Sequence, residues 1–121
     1  MSTANHINSR LGTYRDLDVN ETGRVTLAVP CILRGYWIYN NGNTTRYLKF
    51  YNQATIPTQT DTPKMTWPMP PGAAAHRTLP KDPDGGIVFS AGLALRATTG
   101  VADSDVGAPG ANDVVVCLEV E

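Results

Sequence analysis

The chain has 121 residues, enough for one domain that buries roughly two-thirds of its unfolded surface, so no disulfide framework or structural metal is needed to hold it. Ten Lys and Arg stand against eleven Asp and Glu, with both signs scattered, which leaves no electrostatic footprint for nucleic acid or an anionic membrane. No stretch approaches the length of a membrane span.

The chain opens on Met1-Ser2-Thr3-Ala4-Asn5-His6-Ile7-Asn8, which has no basic region followed by an apolar run. Manufacture in a cytoplasm is therefore expected. Residues 1–9 are polar and lack alternation, the pattern of an arm that orders only against something else. Residues 10–121 read as the folded domain, with no repeat and no second domain.

From there onward the hydrophobic period is two. Val25, Leu27 and Val29 alternate with Thr26 and Ala28, and Leu48 and Phe50 alternate with Tyr47, Lys49 and Tyr51. Val114, Val116, Leu118 and Val120 alternate with Val115, Cys117, Glu119 and Glu121. Nine prolines and eleven glycines leave little room for helices. Strands are expected near residues 10–18, 22–29, 31–40, 44–52, 63–69, 74–79, 86–90, 92–99 and 113–120. Asn40-Asn41-Gly42-Asn43 tolerates positive φ and is expected to close a hairpin between the Trp37 and Tyr47 strands. Asp82-Pro83-Asp84-Gly85-Gly86 reads as a turn for the same reason. The run from Ile56 to Pro83 holds seven of the nine prolines, which places it at a sheet edge or over the surface, because proline cannot donate a ladder hydrogen bond. Residues 100–112 form a small-residue loop. Short, evenly spaced strands of this kind predict an all-β fold, a single antiparallel β-sandwich of jelly-roll type with an extended N-terminal arm.

Residues able to do covalent chemistry are sparse. Asp16/Asp18, Asp82/Asp84 and Asp103/Asp105 have a spacing that can hold Ca²⁺, but none sits in the D-x-[DN]-x-[DN]-G loop that makes the signal specific, and turn aspartates commonly bond their own backbone. His6 and His76 have no ligand-spaced partners, and Ser90 lacks the first glycine of a nucleophile elbow. Cys31 and Cys117 lie in apolar strand-like runs, where free thiols are commonly buried as small hydrophobes. No catalytic residue, metal or cofactor is expected.

The aromatic residues carry more information. Trp37, Tyr39, Tyr47, Tyr51 and Trp67, with Tyr14 and Tyr36, are many large rings for one small domain, and in alternating strands some must face outward. Trp and Tyr dominate protein interfaces energetically, and they also stack on sugars. If Val114, Val116, Leu118 and Val120 face the core, Val115 and Cys117 form an apolar pair on the opposite face, which favours an interface.

Leu33-Arg34-Gly35-Tyr36-Trp37-Ile38-Tyr39-Asn40, then Arg46 to Ala54, Asp61-Thr62-Pro63 and Gly86 to Leu95 resemble a pattern of small virion structural proteins of tailed bacteriophages, in particular the jelly-roll capsid decoration, or cement, proteins. The likeness covers residues 30 to 120 and contains no catalytic motif; similar small domains occur in tail and baseplate parts. It implies a non-enzymatic homo-oligomer, a trimer before a dimer, made in the host cytoplasm and bound at the capsid surface to the major capsid protein or another virion protein. The expected interface residues are Ile7, Arg10, Leu11, Tyr14, Trp37, Trp67, Val115 and Cys117. The alternative is a carbohydrate-binding module that uses Trp37 and Trp67 as stacking platforms.

Overall fold

The computed structural model describes residues 12–78 and 85–121. Among these residues there are nine strands and no helix: β1 (Gly12–Asp16), β2 (Arg24–Leu27), β3 (Cys31–Asn40), β4 (Arg46–Asn52), β5 (Met65–Met69), β6 (Ala74–Thr78), β7 (Ile87–Phe89), β8 (Leu93–Thr98) and β9 (Val114–Val120). Each falls where the period-two pattern predicts one. The expected arm, the site residues Ile7, Arg10 and Leu11, and the Asp82/Asp84 turn lie outside the described residues.

The strands make two antiparallel sheets. The first has the order β1-β9-β3-β6, with β7 also on β3; the second has the order β2-β8-β4-β5. β6 pairs with residues 35–39 of β3 and β7 with residues 31–33, so the two short strands share one edge of the long one.

Alternation sorts the faces. In β9, Val114, Val116, Leu118 and Val120 are buried while the residues between them are half-exposed. In β3 the inward set changes parity, from Cys31 and Leu33 to Tyr36, Ile38 and Asn40, because a register shift between Leu33 and Gly35 adds one residue to the strand. The extra residue, Arg34, pairs with Glu121 (Nε to Oε1, 2.7 Å) and donates to the Gly85 carbonyl, which ties β3 to the C-terminal residue and to the approach to β7.

Both sheets contribute to one core. Leu33, Ile38, Val116 and Leu118 of the first lie in the same cluster as Leu48, Phe50, Leu93 and Leu95 of the second. Tyr36 meets Trp67 at 5.4 Å between ring centroids and 52° between planes, and Phe50 meets Phe89 at 6.5 Å and 38°; both contacts run from one sheet to the other. Each fully buried aliphatic or aromatic side chain contributes about 1.5–3 kcal/mol.

The Asn40–Asn43 segment corrects the hairpin expectation: β3 and β4 belong to different sheets and do not pair. Its polar side chains instead support a crossing. Asn40, fully buried, donates from Nδ2 to the carbonyls of Thr44 (2.9 Å) and Met69 (2.7 Å) and accepts the Gly42 amide (2.8 Å). Arg46, at the start of β4, pairs with Asp113 (2.9 Å), just before β9. Turn-forming residues thus carry the chain from sheet to sheet rather than back along one. The proline-rich run supplies β5, an edge strand that accepts Pro68 opposite Tyr47.

Candidate functional site

The two sheets treat their outer faces differently. On the second sheet, Lys49 and Tyr51 of β4 and Ala94, Arg96 and Thr98 of β8 point away from the core, yet all are buried. The loop after β8 and the Glu21 backbone supply partners for Lys49 and Arg96. Thr99 donates to the Gly107 carbonyl (3.1 Å), Lys49 Nζ to the Ala102 carbonyl (2.5 Å), and Arg96 Nη2 to the Asp105 carbonyl (2.7 Å), while Arg96 Nε reaches the Glu21 carbonyl (3.0 Å). Asp105 holds the loop closed by accepting the amides of Gly100 (3.1 Å) and Gly107 (2.8 Å). Burial pushes the Lys49 ammonium below the usual lysine range, Arg96 adds to this, and Asp105 and Asp103 oppose it. The same burial raises the Tyr51 phenol, against the stabilising bond from Arg96 Nη1 (3.1 Å). These polar groups are spent on the protein's own loop.

On the outer face of the first sheet Arg15 and Trp37 are exposed and Tyr39, Val115, Cys117 and Glu119 half-exposed, and register builds the surface there. Cys117 of β9 lies opposite Arg15 of β1 on one side and Trp37 of β3 on the other, and Trp37 in turn lies opposite His76 of β6. One row away, Glu119 stands between Thr13 and Gly35; on the other side Val115 is opposite Tyr39. Trp37 is 41% exposed and its ring stacks on that of Tyr39 at 6.3 Å and 20°. Gly35 contributes no side chain to its row, and a shallow pocket of about 290 Å³ opens beside Trp37, lined also by Thr13, Tyr36, Cys117 and Glu119. A second groove, of about 440 Å³, runs between the edge strands β1 and β2 and is lined by Tyr14, Leu27, Val29, Pro30 and Val120 among others.

Of the residues singled out in the sequence, the structure brings Trp37, Val115 and Cys117 together on this open face. Tyr14 and Trp67 lie elsewhere. Tyr14 is opposite the core residue Leu118, packs against the core and donates its hydroxyl to Asp16 (3.1 Å); burial and then the Asp16 carboxylate raise its phenol. Trp67 is opposite the core residue Leu48 and packs on Tyr36, with its indole Nε1 buried and lacking a hydrogen-bond partner among the described residues. It is no partner for Trp37 in a common platform.

Thr13, Gly35 and Glu119 are not among the candidates the sequence offers; Thr13 is exposed, Glu119 half-exposed and Gly35 buried. Glu119 was reachable, since it continues the outward parity of Val115 and Cys117. The placement of Gly35 and Thr13 on either side of it needed the pairing of β1, β9 and β3, which no local signal encodes.

Asp16, Asp18 and Asp105 serve the backbone. Asp16 accepts the Asp18 amide (2.9 Å) and pairs with Arg24 (2.7 Å), joining the two sheets at β1 and β2, and Asp18 accepts the Asn112 amide (2.9 Å). Both cysteines are free; Cys31 is buried, which raises its thiol, and Cys117 lies in the wall of the pocket. Comparison of the chain with protein-family models, with curated proteins and with solved structures finds no match.

Proposed function

We propose that this protein is a jelly-roll sandwich with an extended N-terminal arm that works as a capsid decoration protein of a tailed bacteriophage, a non-enzymatic homo-oligomer, most simply a trimer, held at the virion surface on the major capsid protein. With β7 set aside as an addition to the β3 edge, the two sheets read 1-8-3-6 and 2-7-4-5, an order that supports the jelly-roll reading. The observation that carries the functional reading is the asymmetry of the outer faces. The middle of one outer face is buried under the chain's own loop; the other presents Trp37 exposed and Tyr39, Val115 and Cys117 half-exposed, in the apolar and aromatic composition of an interface centre. Adhesion distributed over many symmetric copies then stabilises a shell without any catalytic residue.

The test is attachment to capsids stripped of this protein. Trp37→Ala and a double change, Val115→Asp with Cys117→Asp, are expected to abolish attachment without unfolding the domain. Deletion of residues 1–11, which stops short of β1, is expected to leave the fold intact and to remove attachment as well. Full occupancy by all three variants would overturn the reading.

One observation favours the carbohydrate-binding alternative: an exposed indole backed by a stacked tyrosine beside a pocket that holds a carboxylate and a hydroxyl. Glycan binding lost in Trp37→Ala and unaffected by deletion of residues 1–11 would establish it instead.

A further inference from the structure

We propose that the pocket beside Trp37 receives an arginine side chain of the partner protein, its guanidinium lying flat on the open face of the indole and forking onto the carboxylate of Glu119. The proposal rests on the reading of this face as a protein interface and specifies the chemistry of its centre.

Three features point to a planar cation. The first is the aromatic wall. Tyr39 stacks on Trp37 from two residues further along β3, and the pocket lies on the other side of the ring, toward the row of Thr13 and Glu119, in which Gly35 is buried. A guanidinium is planar, stacks on aromatic faces and is weakly hydrated, which suits it to a half-covered indole.

The second feature is charge. Glu119 is half-buried in the pocket wall and has no ion pair among the described residues, in contrast to Asp16, Asp113 and Glu121, each held by an arginine of this chain. Arg15, the cation in the neighbouring row of the sheet, is exposed and makes no ion pair with it. A carboxylate without an ion pair among the described residues, beside an aromatic face, accepts a bidentate fork better than it accepts a point charge.

The third feature is that Glu119 is the one charged side chain in the lining among the described residues, beside the Thr13 and Tyr36 hydroxyls, the Trp37 indole and the Cys117 thiol. A guanidinium, with five donors and no acceptor, can fork onto that carboxylate and reach a neighbouring hydroxyl at once.

The experiment is an NMR titration of the full chain with N-acetyl-arginine-N-methylamide, read at the side-chain indole N–H groups. Saturable shifts are expected at Trp37 and not at Trp67. Glu119→Gln should weaken binding by about tenfold, equivalent to ~1.4 kcal/mol. The lysine analogue should bind more weakly than the arginine one. A response to methyl glucoside in place of the arginine probe, or to neither probe up to their solubility limits, overturns the proposal. The same Glu119→Gln variant in the capsid attachment assay separates the two levels. If Trp37→Ala abolishes attachment while Glu119→Gln attaches normally and the arginine probe is silent, the interface stands and the arginine pocket falls. If neither variant affects attachment, the interface falls with it.

Discussion

Lys49 and Arg96 lie directly opposite each other on neighbouring strands β4 and β8, both on the outer face of the second sheet and both almost fully buried. Like charges at this separation repel, and removal from water makes the cost larger. What holds them is a row of carbonyl oxygens, from Ala102, Asp105 and Glu21, and the hydroxyl of Tyr51. The two cations are thus the posts to which the covering loop is tied, and that loop is why this face is not available to a partner.

The Lys49 ammonium predicts a pH dependence with a definite sign. Burial lowers its folded-state value below the ordinary 10.5, so between the two values the unfolded chain binds more protons and stability rises with pH. Below the folded-state value both states are charged and the whole cost of burial is present. Lys49→Met removes this slope. Wild type should therefore gain on the variant in denaturant midpoint from neutrality toward 10.5, whereas the raised phenols of Tyr14 and Tyr51, common to both proteins, lower the stability of each at the alkaline end. Wild type losing ground over that window would contradict the assignment.

The two tryptophans should separate in stability measurements. Trp67→Ala removes the ring that packs on Tyr36 across the core and is expected to cost about 2–3 kcal/mol, below the range for a fully buried ring because Trp67 is only half-buried. Trp37→Ala, on the open face, should stay within about 0.5 kcal/mol of wild type. Chemical denaturation of the two variants checks this, and equal losses would place Trp37 in the core.

Gly86 and Gly72 test backbone against packing. Both have positive φ, +94° and +73°, but a Cβ on Gly86 would meet the Leu33 carbonyl oxygen at 2.9 Å and the Ile32 Cγ2 at 2.6 Å, whereas one on Gly72 meets nothing within 4 Å. Gly72→Ala should cost about 1–2 kcal/mol, the conformational penalty alone. Gly86→Ala should cost clearly more, because β7 must also move off β3. Thermal unfolding of the pair gives the comparison.

Thermal unfolding should be unchanged by chelator or by reductant. Asp16 accepts the Asp18 amide, Asp18 that of Asn112 and Asp105 those of Gly100 and Gly107, and Cys31 and Cys117 are both free thiols. A midpoint drop of several degrees with chelator, equivalent to about 1–2 kcal/mol, would reopen the calcium reading of Asp103 and Asp105.

The positions of the strands, and the inward faces of β4 and β9, were legible in the sequence, because the side-chain period of a strand is two and a buried face must therefore alternate. The outward parity of Val115 and Cys117 came from that rule directly. The change of parity within β3 did not, since the added residue at Arg34 is set by pairing with β9 and by the ion pair to Glu121. Nor did the destination of the Asn40–Asn43 turn: asparagine and glycine permit a reversal or a crossing alike, and only the buried bonds of Asn40 and the Arg46–Asp113 pair choose the crossing. The same holds for the aromatics. Composition demanded that some rings face outward, but which ones depended on which sheet each strand joined and which outer face the chain's own loop covered. Trp37 ends on the outer face of the first sheet and Trp67 against the core because exposure is a property of two packed sheets, and strand order brings together residues such as Thr13, Gly35 and Glu119 that are distant along the chain.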